Sequence, residues 1–158
     1  MSNKINPIRD TDAQARVLAR RILSDARFGA LGVIDPTSSS PMVTRIAVAT
    51  AADGTLLSLM SDLSLHTTAL GKTPICSLLI GEPGPKGDPL SHPRLTLQCR
   101  AEPIEKSGLR VRYLSLHPKA QLYFDFADFQ MVALRINSAF LNGGFGKAYH
   151  LTAAELIL

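Results

Sequence analysis

Arg45 is a charged side chain within an otherwise apolar stretch, residues 42–50. Burying an unpaired guanidinium costs several kcal/mol, so Arg45 requires either an anionic partner or a position at the mouth of a cavity. A second interpretation places Arg45 at the rim of a β-barrel, where it faces water or pairs with Asp53 or Asp62. Composition alone leaves both interpretations open.

A hydroxyl-rich stretch, SDLSLHTT at residues 61–68, follows a predicted strand and leads into a short helix that begins near His66. Free N–H groups at the start of a helix bind anions. Ser and Thr also cap helices without binding any ligand, so this stretch alone is a weak signal.

The Asp53-Gly54 dipeptide strengthens that signal because it predicts a hairpin turn. The turn pairs the strand that contains Arg45 with the returning strand, residues 55–60. Arg45 and the 61–67 loop then meet at one end of the same strand pair. A positive side chain beside a hydroxyl-rich helix start predicts a phosphate site.

Other catalytic and metal-binding signatures are absent from the sequence. No nucleophile motif occurs, and Gly-Gly-Phe-Gly at 143–146 lacks the spacing of a dinucleotide-binding loop. Cys76 and Cys99 lie in apolar runs, which predicts buried free thiols in a reducing cytoplasm. The histidines lack zinc-binding spacing. We expect no metal site, and the catalytic residues stay unknown.

The length and composition indicate one domain over residues 1–158. A chain of 158 residues, 46% of them apolar, is long enough to bury a core. No apolar run approaches the roughly 18 residues that span a bilayer, and the start lacks the apolar segment of a signal peptide. The net charge of +4 comes without a nucleic-acid-binding motif. We expect a cytoplasmic protein that binds neither nucleic acid nor membranes.

A helix over about residues 10–27 precedes the strands. Thr11 and Gln14 fit a capping box, and apolar residues recur at three- and four-residue steps. Residues of about 28–150 alternate in the manner of short strands and are separated by turn signals, including a Gly/Pro-rich loop at 82–93. Short strands joined by hairpins, with a few helices outside, predict a small β-barrel of the α+β class.

Three segments carry a family resemblance: PMVTRIAVATAADGTLLSLMSDLSLHTTAL (41–70), CSLLIGEPGPKGDPLSHPRLTLQCRAEPI (76–104) and FADFQMVALRINSAFLNGGFGKA (126–148). The sequence resembles the FMN-binding split barrels related to pyridoxamine 5′-phosphate oxidase. Within that group it is most similar to the haem-utilisation-type and CREG-like branch. The motifs LIGEPG, GDPLSHPRLTL and NGGFGKA are the most specific to this branch.

The resemblance implies an α+β, mainly β fold, a six-stranded Greek-key split β-barrel with flanking helices. It also implies a homodimer with FMN in clefts at the subunit interface and a small-molecule substrate. The cofactor-binding residues that follow from the resemblance are Thr44, Arg45, Ile46, Ala47, Met60, Ser61, His66, Thr67, Thr96, Gly144 and Lys147. Arg45 would meet the phosphate, the backbone of residues 44–47 would face the isoalloxazine ring, and Thr96 would reach the cleft from the other chain.

The sequence departs from the oxidases at several of these positions. His66-Thr67 stand where the oxidases carry an Arg-Lys pair, and Ala69 stands where many relatives have Asn. The substrate-binding C-terminal segment of the oxidases is not recognisable in residues 150–158. These departures argue against vitamin B6 oxidation. Three functions stay open: an FMN-dependent oxidoreductase, a haem-binding or haem-utilisation-type protein, and a barrel without cofactor that acts as an interaction protein.

Overall fold

The computed structural model describes residues 6–157 of the chain. The strands in chain order are β1 (Ile8–Arg9), β2 (Phe28–Ile34), β3 (Pro41–Ala47), β4 (Ala49–Thr50), β5 (Leu56–Ser61), β6 (Ile75–Ile80), β7 (Arg94–Ile104), β8 (Phe129–Asn142) and β9 (Ala148–Thr152). The α-helices are α1 (Ala13–Asp25), α2 (Leu65–Lys72), α3 (Arg110–Leu116) and α4 (Ala153–Leu156). Short 3₁₀ turns lie at Pro89–Ser91, Ser107–Leu109 and Pro118–Leu122.

The strands form one sheet whose main path runs β1, β9, β8, β7, β6, β2, β3. The sheet curls into a barrel that is not closed, because β3 pairs with β2 whereas only the two-residue β4 pairs with β5. This arrangement confirms the predicted mainly β split-barrel fold. The strand count differs from the predicted six, because the described residues form a sheet of nine strands. Short strands such as β1 and β4, each of two residues, account for part of the difference.

The 14-residue strand β8 joins the two halves of the barrel. Its first half pairs with β5 and its second half pairs with β9, while β7 lies along the opposite edge of both halves. Strand β8 therefore holds β5, β7 and β9 in register. On the edge that β5 and β9 share, residues 135–137 of β8 separate these two strands.

The predicted hairpin is present, but its strand pairing is shorter than the sequence suggests. Gly54 adopts a φ of 86°, and the N–H of Ala51 donates to the carbonyl of Thr55 at 2.8 Å. The predicted strand 42–50 is interrupted at Val48, whose N–H donates to the carbonyl of Arg27 at 2.9 Å. The residues before Val48 form β3 and pair with β2. Only Ala49 and Thr50, which form β4, pair with β5.

Helix α1 is shorter than the predicted 10–27 and begins with a different cap. Asp12 accepts a hydrogen bond from the Ala15 N–H at 2.7 Å and is the N-cap residue. The Thr11 hydroxyl instead donates to the carbonyl of His150 at 2.8 Å, which removes it from the predicted capping box.

Two apolar clusters account for the burial of both faces of β5. The first fills the barrel and includes Leu31, Leu78 and Leu97, all fully buried. The second lies outside the barrel, where Tyr113 and Phe124 cover β5 and β8. With both faces covered, residues 56–60 are all buried, and the one polar side chain among them, Ser58, donates its hydroxyl to the Ala47 carbonyl.

The C-terminal elements extend the barrel beyond the predicted limit near residue 150. Strand β9 continues to Thr152, and α4 begins there with a capping box between Thr152 and Glu155. Arg16 Nη1 donates to the Glu155 carboxylate at 3.3 Å and ties this short helix to α1.

Candidate functional site

The candidate site lies where β3 meets the start of α2. Thr44 Oγ1 and His66 Nδ1 are 3.1 Å apart, so a hydrogen bond connects the strand with the first turn of the helix. Helix α2 also contributes Ala69 and Leu70 to the barrel core. The 61–67 loop is therefore fixed against β3, the last strand of the sheet path, through Thr44.

The hydroxyls of this loop hold the loop together. Thr67 Oγ1 donates to the Ser61 carbonyl at 2.7 Å, and Ser61 Oγ accepts a backbone N–H at 3.2 Å. Ser64 precedes α2 but makes no side-chain cap. The N–H groups of Leu65 and His66 have no acceptor among the described residues. These two amides are the donors that the helix start offers to an anion.

His66 is half-buried, and its burial lowers the pKa of the imidazole below the ordinary value of 6.5. Its Nδ1 atom faces Thr44, and its Nε2 atom has no partner among residues 6–157. The ring is therefore neutral at physiological pH and keeps one nitrogen free for a ligand.

Arg45 follows Thr44 in the chain but points to the opposite face of β3. Its guanidinium carbon lies 5.7 Å from the centroid of the Phe28 ring. The pairing with Asp53 or Asp62 considered from the sequence does not form. Because Arg45 is exposed and has no carboxylate partner in the described part of the chain, its charge is available to an external anion.

Ile46 and Met60 lie in the core, and the carbonyl of Ala47 is already hydrogen-bonded. The side chains of Ile46 and Met60 are only 5% and 2% exposed within the core. The carbonyl of Ala47 accepts a hydrogen bond from the Ser58 hydroxyl at 2.7 Å. Any contact of Ile46 or Met60 with a cofactor would therefore pass through their main chain.

Thr96 lies on the same outer face of the sheet as Arg45. The register continues across the sheet from Arg45 through Ala30, Leu79, Thr96 and Phe140 to His150, each opposite the next; we call these six residues the outer row. Three strand spacings of about 4.8 Å separate Arg45 from Thr96, or about 14 Å in total. Within one chain Thr96 is therefore far from the Arg45 guanidinium.

The outer row and its neighbours expose large apolar side chains. Phe28, Val43, Leu79 and Phe140 are 42%, 68%, 43% and 40% exposed, respectively. An exposed apolar face of this kind is typical of an interface with another molecule.

Gly144 and Lys147 lie in the turn between β8 and β9, and no hydrogen bond joins them to the 61–67 loop. The N–H of Lys147 donates to the Gly144 carbonyl at 3.1 Å. Gly144 has a φ of 114°, and a Cβ atom there would lie 3.1 Å from the Ser91 carbonyl oxygen. The positive φ and the close approach of the Ser91 carbonyl explain why glycine occupies position 144, and no ligand contact is needed to explain it.

A cleft of about 530 Å³ adjoins α2 and was not expected from the sequence. Met60 and Thr67 line it together with Arg100, Glu102 and Gln130. Arg100, Glu102 and Gln130 come from β7 and β8, far from α2 in the sequence, so no local motif indicates that they meet there. The charge of Arg100 within the strand RLTLQCRAEPI is the one signal that points there.

Two aspartates border the 61–67 loop. The Asp128 carbonyl accepts the Asp62 N–H at 2.7 Å, and the Asp128 carboxylate lies 3.5 Å from Ser61 Oγ. Gln130 Nε2 donates to the Asp62 carboxylate at 3.3 Å. These negative charges reduce the positive potential that Arg45 and the helix start create.

Cys76 and Cys99 are free, buried and directly opposite each other on β6 and β7, as the sequence predicts for buried thiols. Burial raises their pKa values to about 11 and about 12. Residues 6–157 contain no group of three or more His, Cys, Asp or Glu side chains that could hold a metal ion. Within that range, none of the helices combines the length and the apolar character needed to cross a bilayer.

The chain is similar to proteins whose names refer to haem. It is 30% identical over 117 residues to the chloroplastic non-canonical heme oxygenase HOZ of Arabidopsis thaliana, a match that covers 65% of this chain and 35% of that protein. The chain thus spans about a third of the length of this relative. A heme binding protein from Mycobacterium smegmatis is 26% identical, with a TM-score of 0.82 over 92% of this chain and 61% of that chain.

More distant structures share the fold alone. A protein of the pyridoxinephosphate oxidase family from Clostridium acetobutylicum is 11% identical, with a TM-score of 0.71 over 92% of this chain and 99% of its own. A FAD-binding protein from Mesorhizobium loti is 16% identical, with a TM-score of 0.60 over 78% of this chain and 88% of its own.

The family described as "CREG, beta-barrel" matches residues 10–157, nearly the whole chain. Together with the shared split-barrel fold, this match confirms the resemblance noted from the sequence. The chain belongs to the CREG β-barrel family.

Proposed function

We propose that the chain binds FMN at the junction of β3 and α2 and acts as an oxidoreductase on a small molecule. The observation that carries this proposal is the hydrogen bond between Thr44 and His66, which places two free helix amides beside the strand of Arg45. A guanidinium and helix-start amides are a donor set that suits a phosphate monoester.

Each group has a distinct role in this proposal. Because Arg45 lies on the other face of β3 from Thr44 and His66, Arg45 and the N–H groups of Leu65 and His66 would hold the phosphate from the two sides of the β3 edge that faces away from β2. The backbone of residues 44–47 would run along the flavin ring. Bound FMN would supply the hydride or electron transfer. The chain itself then contributes position and exclusion of water, for which no acid–base pair is required.

We propose that the cleft is completed by a second copy of the chain. The outer row brings Arg45 and Thr96 to one face, but about 14 Å separates them within a chain. If two copies pack through this face, Thr96 of one chain can approach the β3 edge of the other. The exposed Phe28, Val43 and Leu79 side chains give that packing an apolar contact surface.

Haem is the second candidate, because relatives with at least 26% identity carry haem in their names. The described histidines differ in their freedom to act as axial ligands. His92 uses both ring nitrogens and His117 uses Nε2 in bonds to the chain. His66 keeps Nε2 without a partner in the described chain, and His150 is exposed and stacked 4.7 Å from the Phe140 ring. A haem site would therefore draw on His66 or His150.

The absorption spectrum of the purified protein, followed by titration with FMN and with haemin, tests these candidates. A flavin spectrum or saturable FMN binding supports the oxidoreductase, and a Soret band with saturable haemin binding supports the haem protein. A colourless protein that binds neither ligand contradicts both and leaves a barrel that acts through its surface.

The two buried free thiols are compatible with a reducing compartment, and we propose the cytoplasm.

A further inference from the structure

A groove at the hairpin end of the barrel carries two arginines that the proposed cofactor site does not use. The groove has a volume of about 430 Å³ and is lined by Arg20 of α1, Arg112 of α3 and the 51–54 turn. Strand β5 runs from this turn to the 61–67 loop, and its length of about 20 Å separates the groove from the proposed phosphate site.

Each arginine is anchored through its Nε atom. Arg20 Nε donates to the Glu155 carbonyl at 2.9 Å, and Arg112 Nε donates to the Thr50 carbonyl at 2.9 Å. Neither arginine forms an ion pair with a described carboxylate, and no described residue accepts a hydrogen bond from their Nη atoms. Two guanidinium groups held in this way offer pre-positioned donors to an anion in the groove.

The remaining wall is largely apolar. Leu23 and Leu156 are buried residues that line the groove and also line an adjoining cavity of about 180 Å³. That cavity is bounded further by Leu56, Leu134 and Ile136, and by Arg135, whose guanidinium pairs with Glu102. A ligand that reaches from the arginines into this space would need an apolar body.

Asp53 is the carboxylate in the lining of the groove. Its Oδ1 atom accepts the Thr55 N–H at 2.9 Å, and this hydrogen bond lowers the pKa of the Asp53 carboxyl, which stays ionised at neutral pH. A fixed negative charge in the wall opposes a doubly charged phosphate more than a singly charged carboxylate.

We propose that this groove binds a small organic carboxylate whose head group lies between Arg20 and Arg112 and whose apolar body extends into the adjoining cavity. The ligand is separate from the cofactor proposed above, because the two places lie at opposite ends of β5.

Calorimetric titration of the full chain with octanoate tests the proposal. We expect octanoate to bind at one site, and we expect acetate, which lacks the apolar body, and octanol, which lacks the charge, to bind at least tenfold more weakly. Octanol that binds as tightly as octanoate would overturn the role of the arginines. Inorganic phosphate that binds as tightly would overturn the choice of a carboxylate, and absence of octanoate binding at millimolar concentration would overturn the site itself.

Two variants assign the binding to the arginines. Arg112→Gln and Arg20→Gln should each weaken octanoate binding roughly tenfold to a hundredfold, because each removes a charged hydrogen-bond donor. Arg21→Gln is the matched control, since the Arg21 side chain is 79% exposed and pairs with Asp25 away from the groove.

A folding check keeps the result decisive. Arg20 also tethers α4, so a melting curve accompanies its variant, whereas Arg112 is exposed on α3 and tests the proposal independently of that tether. If Arg112→Gln binds octanoate as tightly as the original chain does, the arginine site is refuted. FMN titration of the same variants should match the original chain, which separates this site from the proposed cofactor site.

Discussion

The guanidinium of Arg45 contacts the Phe28 ring and has no carboxylate partner among the described residues. If it meets the FMN phosphate, Arg45→Gln should weaken FMN binding roughly tenfold to a hundredfold, because a charged hydrogen bond is lost. Riboflavin lacks the phosphate, so its affinity should change little. Quenching of flavin fluorescence during titration measures both affinities.

Arg27→Gln is the control for this comparison. Arg27 is an exposed arginine whose Nη1 atom donates to the carbonyls of Ser24 and Ala26. If Arg45→Gln weakens FMN and riboflavin binding equally, the role of Arg45 is structural and the phosphate lies elsewhere.

Burial of His66 gives the folded chain a pH dependence of its own. The pKa of His66 is lowered in the folded state, so the unfolded chain binds the proton more readily and the folded state loses stability as the pH falls below about 6.5. His66→Gln does not titrate in this range. The free energy of unfolding of the original chain should therefore fall relative to that of the variant between about pH 7 and pH 5.

Denaturant unfolding of both proteins across this pH range measures the difference, and parallel pH profiles would contradict it. Saturating FMN should reverse the trend, because a phosphate beside His66 favours the imidazolium and raises its pKa. A His66 pKa that NMR titration finds unchanged by FMN would remove this side chain from the phosphate site.

At the scale of elements, the loop between β6 and β7 is closed by one imidazole. His92 Nδ1 accepts the Gly84 N–H at 3.1 Å, and His92 Nε2 donates to the Lys86 carbonyl at 2.8 Å. His92→Ala removes both bonds, each worth about 1 kcal/mol. Local opening, and with it tryptic cleavage after Lys86, should rise roughly fivefold to thirtyfold.

Mass spectrometry of timed digests follows that cleavage, with His150→Ala as the control. His150 is exposed on the outer row and lies on β9, outside this loop. Equal cleavage rates in His92→Ala and in the original chain would show that the loop is held closed by other contacts.

The elements differ in how readily the sequence indicates them. Strand β7 follows a local pattern, because its apolar and polar residues alternate and the Gly/Pro-rich loop at 82–93 precedes it. The two-residue β1 and β4 carry too few residues for a periodic pattern, and they depend on partners distant in the sequence. The same limit applies to α4, whose four residues are held by contacts with α1.

In the candidate site, too, local sequence patterns indicate some features, whereas others depend on contacts between distant parts of the chain. A hairpin signal and a hydroxyl-rich helix start, both local patterns, predict that the strand of Arg45 lies near the 61–67 loop, but the hairpin pairs β4 with β5 whereas β3 pairs with β2. The opposite orientations of Thr44 and Arg45 require the barrel, which decides the face of β3 that is buried. The cleft beside Arg100 and Gln130 requires the long-range pairing of β7 with β8, for which no local pattern exists.

At the scale of the whole molecule, the outer face should make the protein a dimer. Light scattering should give about twice the chain mass of 17.0 kDa at micromolar concentration. Leu79→Lys should produce a monomer, because it places a charge in the apolar contact surface. Val111→Lys is the matched control, since Val111 is 84% exposed on α3, away from this face. A stable monomer of the original chain would contradict both the dimer and the shared cofactor cleft.

The pairing of β8 also governs how the barrel can form during synthesis. Strand β5 leaves the ribosome long before residues 129–142, yet its main partner in the sheet is β8. Until β8 emerges, Leu57 and Leu59 lack both that partner and the complete outer cluster that Tyr113 and Phe124 form with residues of β8. An unpaired apolar strand invites pairing with other chains. We therefore expect the nascent chain to be most prone to aggregation in the interval between these two strands, so that slower elongation there would favour aggregation over folding.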